Sequence, residues 1–143
     1  MIGYLDTSAL VPMLIGESTS AACGEFWNTA DAVTSSRLVY VESAAALARA
    51  ERNGRFMGNE HRRTVDQLRR LTVELELIEV DERLVRTAAD FAHRFALRGY
   101  DAVHCAAAAQ LDAPDLVAAS GDQKLLAAWR VLGVATFDPA GTT

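Results

Sequence analysis

Four acidic residues stand where chemistry could be done. Asp6 follows directly on Ile2-Gly3-Tyr4-Leu5, a short, mostly apolar run that reads as a buried strand. The same junction recurs near the C-terminus, where Leu116-Val117-Ala118-Ala119 leads through Ser120-Gly121 into Asp122. Asp101 stands at the start of an apolar helix, in Gly99-Tyr100-Asp101-Ala102-Val103-His104-Cys105. Glu42 lies at the edge of a helical stripe formed by Leu38, Val41, Ala45 and Ala48. In α/β folds the C-terminal ends of strands and the N-termini of helices share one rim, so Asp6, Asp101 and Asp122 are expected as neighbours, with Glu42 completing the ring. Carboxylates so gathered repel one another and rise in pKa unless a cation neutralises them. An oxygen-only donor set suits Mg²⁺ or Mn²⁺. Each acid also has a plainer reading. Asp6, Asp101 and Asp122 could cap helices, and Glu42 could be a solvated helix residue.

The elements that must position these acids alternate from end to end. After the first strand, Thr7 to Ile15 reads as a short helix, and Ser18 can cap a second running to about Thr29. A strand is expected over Asp31–Ser35. Ser35 or Ser36 then caps a helix that ends near Asn53-Gly54. Gly58 to Glu74 is a polar, arginine-rich helix with Val65, Leu68 and Leu71 inward. Leu75 to Val80 alternates with period two and reads as a strand. Asp81 or Glu82 opens a long helix through Leu84, Ala88, Phe91, Phe95 and Leu97, stopped by Gly99. Asp101 to Leu111 is an apolar helix. Leu116–Ala119 is a strand, Asp122 to Leu132 a helix closed by Gly133, and Val134–Phe137 a last strand. Short strands with helical crossovers imply a mainly parallel sheet covered on both faces, an α/β fold. Residues 36–74 interrupt the rhythm with two consecutive helices, expected as a helical hairpin projecting from the sheet edge.

Length and composition set the bounds. Residues 1–143 are expected to form a single domain with a core of its own. No apolar run approaches the 18 residues or so of a membrane span, and the N-terminus does not read as a signal peptide. Cys23 and Cys105 are far apart and lack metal-type spacing, so reduced thiols in the cytoplasm are expected. A net charge of −5 argues against indiscriminate nucleic-acid binding. The charge is unevenly spread: residues 49–70 carry seven arginines against three acids, leaving the rest of the chain strongly acidic.

With those residues in view, the chain resembles a PIN-domain protein, and within that family the VapC-type toxins of bacterial toxin–antitoxin pairs. The resemblance spans nearly the whole chain. It rests on Tyr4-Leu5-Asp6-Thr7-Ser8-Ala9-Leu10-Val11, on Glu42 in the third helix, on Tyr100-Asp101-Ala102-Val103-His104-Cys105-Ala106, and on Ser120-Gly121-Asp122. The last departs slightly, because the family often has threonine where Ser120 stands; the hydroxyl is retained. The resemblance implies a PIN-like α/β/α sandwich and a metal-dependent endoribonuclease, with Asp6, Glu42, Asp101 and Asp122 as ligands of Mg²⁺ or Mn²⁺. It also implies a transfer or ribosomal RNA substrate, a VapB-type antitoxin partner and a homodimer.

Phosphodiester cleavage needs an in-line nucleophile and relief of charge on the phosphate, both of which a carboxylate-held divalent cation supplies. Two readings compete. One keeps the fold without catalysis, as an RNA- or protein-binding module whose acids are caps. The other is a flavodoxin-like phosphoacceptor or phosphatase using Asp6 as nucleophile, which would want a second acid where Ser8 stands.

Other residues take part more loosely. His104 follows Asp101 by one helical turn and could touch the site, although an alanine-rich setting favours a satisfied core histidine. Ser8 could hydrogen-bond a ligand carboxylate or serve the helix start. His61 and His93 read as solvated. The arginine stretch 49–70 could contact RNA phosphates or be an ordinary solvated hairpin. Trp27 and Trp129 read as core.

Overall fold

In a computed structural model of the protein, residues 1–141 are described; the expected domain extends two residues beyond them. Ile2–Leu5 forms β1, and Asp6 at once caps a one-turn helix α1 (Thr7–Leu10). The helix expected to reach Ile15 changes at Val11 into a 3₁₀ turn over Val11–Met13. Pro12 is the cause: it lacks the N–H that would continue the ladder. There follow α2 (Ser20–Thr29), β2 (Ala32–Ser36), α3 (Val39–Arg52), α4 (Glu60–Glu74), β3 (Glu76–Ile78), α5 (Glu82–Phe95), α6 (Gly99–Ala109), β4 (Leu116–Ala119), α7 (Gln123–Val131) and β5 (Ala135–Phe137).

The five strands form one parallel sheet in the order β3-β2-β1-β4-β5. The chain winds outward from β1 through β2 to β3, then returns to lay β4 on the other side of β1. The winding order reverses between β1 and β4, and α/β folds hold their sites in the crevice at the carboxyl end of such a reversal. Asp6 leaves β1 there and Ser120 leaves β4 there; Leu5 pairs with Ala119.

Alternate residues of β1 serve opposite layers. Tyr4 packs with Leu84, Leu125, Leu126, Trp129 and the alanines of α6; Leu5 packs with Leu10, Phe26, Val39, Leu47 and Leu68. The α/β/α arrangement is therefore two apolar cores separated by the sheet. Gly3 is required by close packing, since a Cβ there would stand 2.9 Å from the Phe26 ring, which stacks on Phe137.

Several local expectations shift. α3 buries Val39, Ser43, Leu47 and Ala50 rather than the stripe through Val41 and Ala45, both of which are exposed. The apolar residues of this helix run on more than one face, and packing on α4 selects the face carrying Leu47. α5 ends at Ala96, which adopts the left-handed conformation (φ 54°), and not at Gly99, which instead begins α6. α2 starts at Ser20, whose hydroxyl accepts from the N–H of Glu17, and Ser18 does not cap it. Trp129 is fully buried, as expected of core. His61 is only half-exposed, 3.6 Å from Glu51, rather than freely solvated. Among the described residues no helix is long and apolar enough to cross a membrane.

Candidate active site

Asp6 is the best-held of the four acids. It is 3% exposed. Its Oδ1 accepts from the Ala9 N–H at 3.0 Å and from the Ser8 hydroxyl at 2.7 Å; its Oδ2 accepts from the Ser120 hydroxyl at 2.6 Å. The two serines are themselves fixed by backbone. Gly121 N–H donates to Ser8 Oγ at 2.7 Å, and Asp122 N–H donates to Ser120 Oγ at 2.9 Å. With both hydroxyl protons directed at Asp6, the 3.3 Å approach of the two serine oxygens needs no shared proton. The segment after β4 is thus bonded to the segment after β1 through a carboxylate. Burial raises the Asp6 pKa, opposed by the charge of His104 and by the hydroxyl and amide donors.

Asp122 caps α7, its Oδ1 accepting from Leu125 N–H at 3.1 Å. Asp101 does not cap. It sits in the first turn of α6 and, among the described residues, receives no hydrogen bond. Its pKa is raised, first by burial and then by the charge of Asp122, with Glu42 adding to it; His104 and Arg98 pull the other way. Glu42 projects from α3 with its Oε1 2.7 Å from His104 Nε2.

All four acids line a single cavity of about 390 Å³, together with Thr7, Ser8 and His104. Three of them, Glu42, Asp101 and Asp122, also line an adjoining groove of about 850 Å³, whose walls include Val85, Arg49, Arg98 and Tyr100. The cap reading is thus correct for Asp6 and Asp122, yet both still face the cavity; it does not account for Asp101. Among the described residues no group of three or more His, Cys, Asp or Glu side chains is arranged so that it could hold a metal ion. Glu17, which the sequence did not single out, also lines the cavity, and an all-carboxylate donor set is the chemistry that a hard divalent cation matches.

Sequence reasoning understated His104. It is 1% exposed, a satisfied core histidine as expected, but it also borders the cavity and holds one of the acids. The signal was its i, i+3 spacing from Asp101. Ser120, noted only as a retained hydroxyl, proves to be a direct donor to Asp6.

A PIN-domain family model matches residues 3–128, which takes in all four acids. The chain belongs to the PIN-domain family. Within it the chain is of VapC type. It is 36% identical over 122 residues to ribonucleases VapC45 and VapC49 of Mycobacterium tuberculosis, covering 85% of this chain and 85% of each relative. Solved structures superpose along most of the chain. FitAcB of Neisseria gonorrhoeae matches with a TM-score of 0.71 at 18% identity, covering 99% of this chain and 100% of that one. VapC20 of M. tuberculosis, described as a sarcin–ricin loop cleaving toxin, matches at 0.69 and 19% identity, covering 88% and 94%.

Proposed function

We propose that this chain is the toxin of a toxin–antitoxin pair, an endoribonuclease that hydrolyses RNA phosphodiester bonds with Mg²⁺, or Mn²⁺, held by Asp6, Glu42, Asp101 and Asp122. The observation that carries the reading is the convergence of these four acids, from four different elements and with Glu17 beside them, on one cavity where the strand order reverses. The names of the relatives support it, since VapC45 and VapC49 are ribonucleases.

The residues divide the work. When bound, the cation lowers the pKa of a water and screens the phosphate charge. Asp6, clamped by Ser8, Ser120 and Ala9, offers a carboxylate of fixed direction. Asp101 receives no hydrogen bond among the described residues, which leaves its oxygens open to the cation and to the proton of the attacking water. Asp122, anchored through its cap bond, would add a further carboxylate to the site. Arg49 and Arg98 stand in the adjoining groove, where substrate phosphates would pass.

By its family the toxin acts in the cytoplasm on transfer or ribosomal RNA, pairs with a VapB-type antitoxin and forms a homodimer. Solved relatives of this fold include toxin–antitoxin assemblies such as VapBC2 of Rickettsia felis, whose similarity supports an antitoxin partner. The non-catalytic reading would leave Asp101 without a role. The deciding experiment is cleavage of a defined RNA panel by purified wild-type, Asp6→Asn and Asp101→Asn protein, with Mg²⁺ and with chelator. Cut products are expected from the wild type with Mg²⁺ alone. Equal cutting by either folded variant would remove the assignment.

A further inference from the structure

We infer that His104 is a positioning residue for Glu42, tethering it through Tyr4 to the aromatic core so that one carboxylate oxygen is presented to the cavity. The inference rests on the metal-site reading above and deepens it.

His104 bridges two parts of the fold that share no strand pairing. Its Nε2 lies 2.7 Å from Glu42 Oε1 on α3, and its Nδ1 lies 2.7 Å from the Tyr4 hydroxyl on β1. A carboxylate can only accept, so the proton on this side belongs to Nε2. Nδ1 lies within hydrogen-bond reach of the Tyr4 hydroxyl, which can donate to it or accept from it, so both ring nitrogens are partnered. Thr7 Oγ1 stands 3.4 Å from Nε2 on the same side.

The tether is stiff along its whole length. Tyr4 is fully buried and meets both His104 and Trp129 edge to face, with ring centroids 5.8 Å apart in each case. The Trp129 indole donates to the Cys105 carbonyl at 3.3 Å, one residue along from His104. An unrestrained glutamate has three side-chain torsions to fix before it can bind anything. Here one oxygen is pinned, while Oε2 has no hydrogen-bond partner among the described residues. Metal-binding carboxylates are typically held by a hydrogen bond of this kind, and losing such a partner costs about 10–100-fold in metal affinity.

The test is titration calorimetry of Mn²⁺ into the purified protein without RNA. His104→Ala is expected to weaken Mn²⁺ binding by about tenfold or more. His104→Gln, which retains an N–H donor, should recover part of the loss. In a Glu42→Ala background, His104→Ala should have no further effect, because the group it positions is gone. A merely structural role predicts additive losses, and additivity would overturn the inference. If His104→Ala fails to fold, Tyr4→Phe keeps the buried ring and removes only the hydroxyl; it should weaken binding measurably, and unchanged affinity there would overturn the inference too. Wild-type binding that depends on Asp6 but not on His104 sinks this inference and leaves the metal site standing. No Mn²⁺ binding by the wild type sinks both.

Discussion

Ser120, at the end of β4, donates its hydroxyl to Asp6, at the end of β1, across 2.6 Å and 114 positions of sequence. Few contacts in the molecule join such distant stretches through groups this buried. The bond also fixes where the chain turns after β4, since Ser120 Oγ accepts the Asp122 N–H in the same step. Ser120→Ala leaves a carboxylate at 3% exposure short of one donor. A loss of about 1–3 kcal/mol in folding free energy is expected from urea unfolding, with Ser120→Thr close to wild type. An unchanged midpoint in Ser120→Ala would show the bond to be idle.

Asp101 should separate stability from activity. Among the described residues it makes no hydrogen bond, and it is repelled by Asp122 and Glu42. Asp101→Asn is therefore expected to unfold no earlier than the wild type in chelator, while RNA cleavage falls by about 100-fold or more. Parallel loss of both would mean that the variant is merely misfolded.

The raised pKa values of Asp6 and Asp101 set a pH dependence. A carboxyl whose pKa is higher in the folded state binds more protons there than in the unfolded chain. Its contribution to stability is therefore most favourable below the ordinary aspartate value of 3.8 and declines as pH rises through the raised value. In chelator, the melting temperature of wild type minus that of Asp101→Asn, read by calorimetry, should fall as pH rises from about 4 to 7. A flat difference would contradict the assignment of charge stress to Asp101.

Salt dependence should report the arginines of the groove. Arg49 and Arg98 line it beside Glu42, Asp101 and Asp122. If they meet single-stranded phosphates, each change to Ala should flatten the plot of log affinity against log salt by about 0.7, with Arg130→Ala as a control outside the groove. Equal slopes for all three variants would place the RNA elsewhere.

Gly3→Ala tests the packing under the site. The added Cβ would lie 2.9 Å from Phe26 and 3.2 Å from the Ala30 methyl. Overpacking of this kind costs about 1–3 kcal/mol, measurable as a lower urea midpoint.

Much of this was legible in the chain. The strand-then-acid junctions at Asp6 and Asp122 are local features, and their convergence follows from parallel topology alone. The hairpin of α3 and α4 was legible as two helices with no strand between. What escaped were choices made by tertiary contacts. The alanine-rich α3 carries apolar residues on several faces, so the sequence does not say that Leu47 and not Val41 turns inward. Ala96 ends α5 in a conformation usually left to glycine, and Gly99, three residues on, begins α6 instead of stopping α5. His104 looked like core because it is core; that it reaches Glu42, 62 residues away, depends on where α3 docks.

The two margins of the sheet carry their own consequence. β3 and β5 are three residues each, against four or five for the strands between them. An approaching chain would find room for only a few ladder bonds on either border, too few to extend the sheet. Growth by strand addition, the usual road to fibrils, is closed off at both sides. Any lasting association of this molecule with itself or another must therefore use helix surfaces and side-chain chemistry.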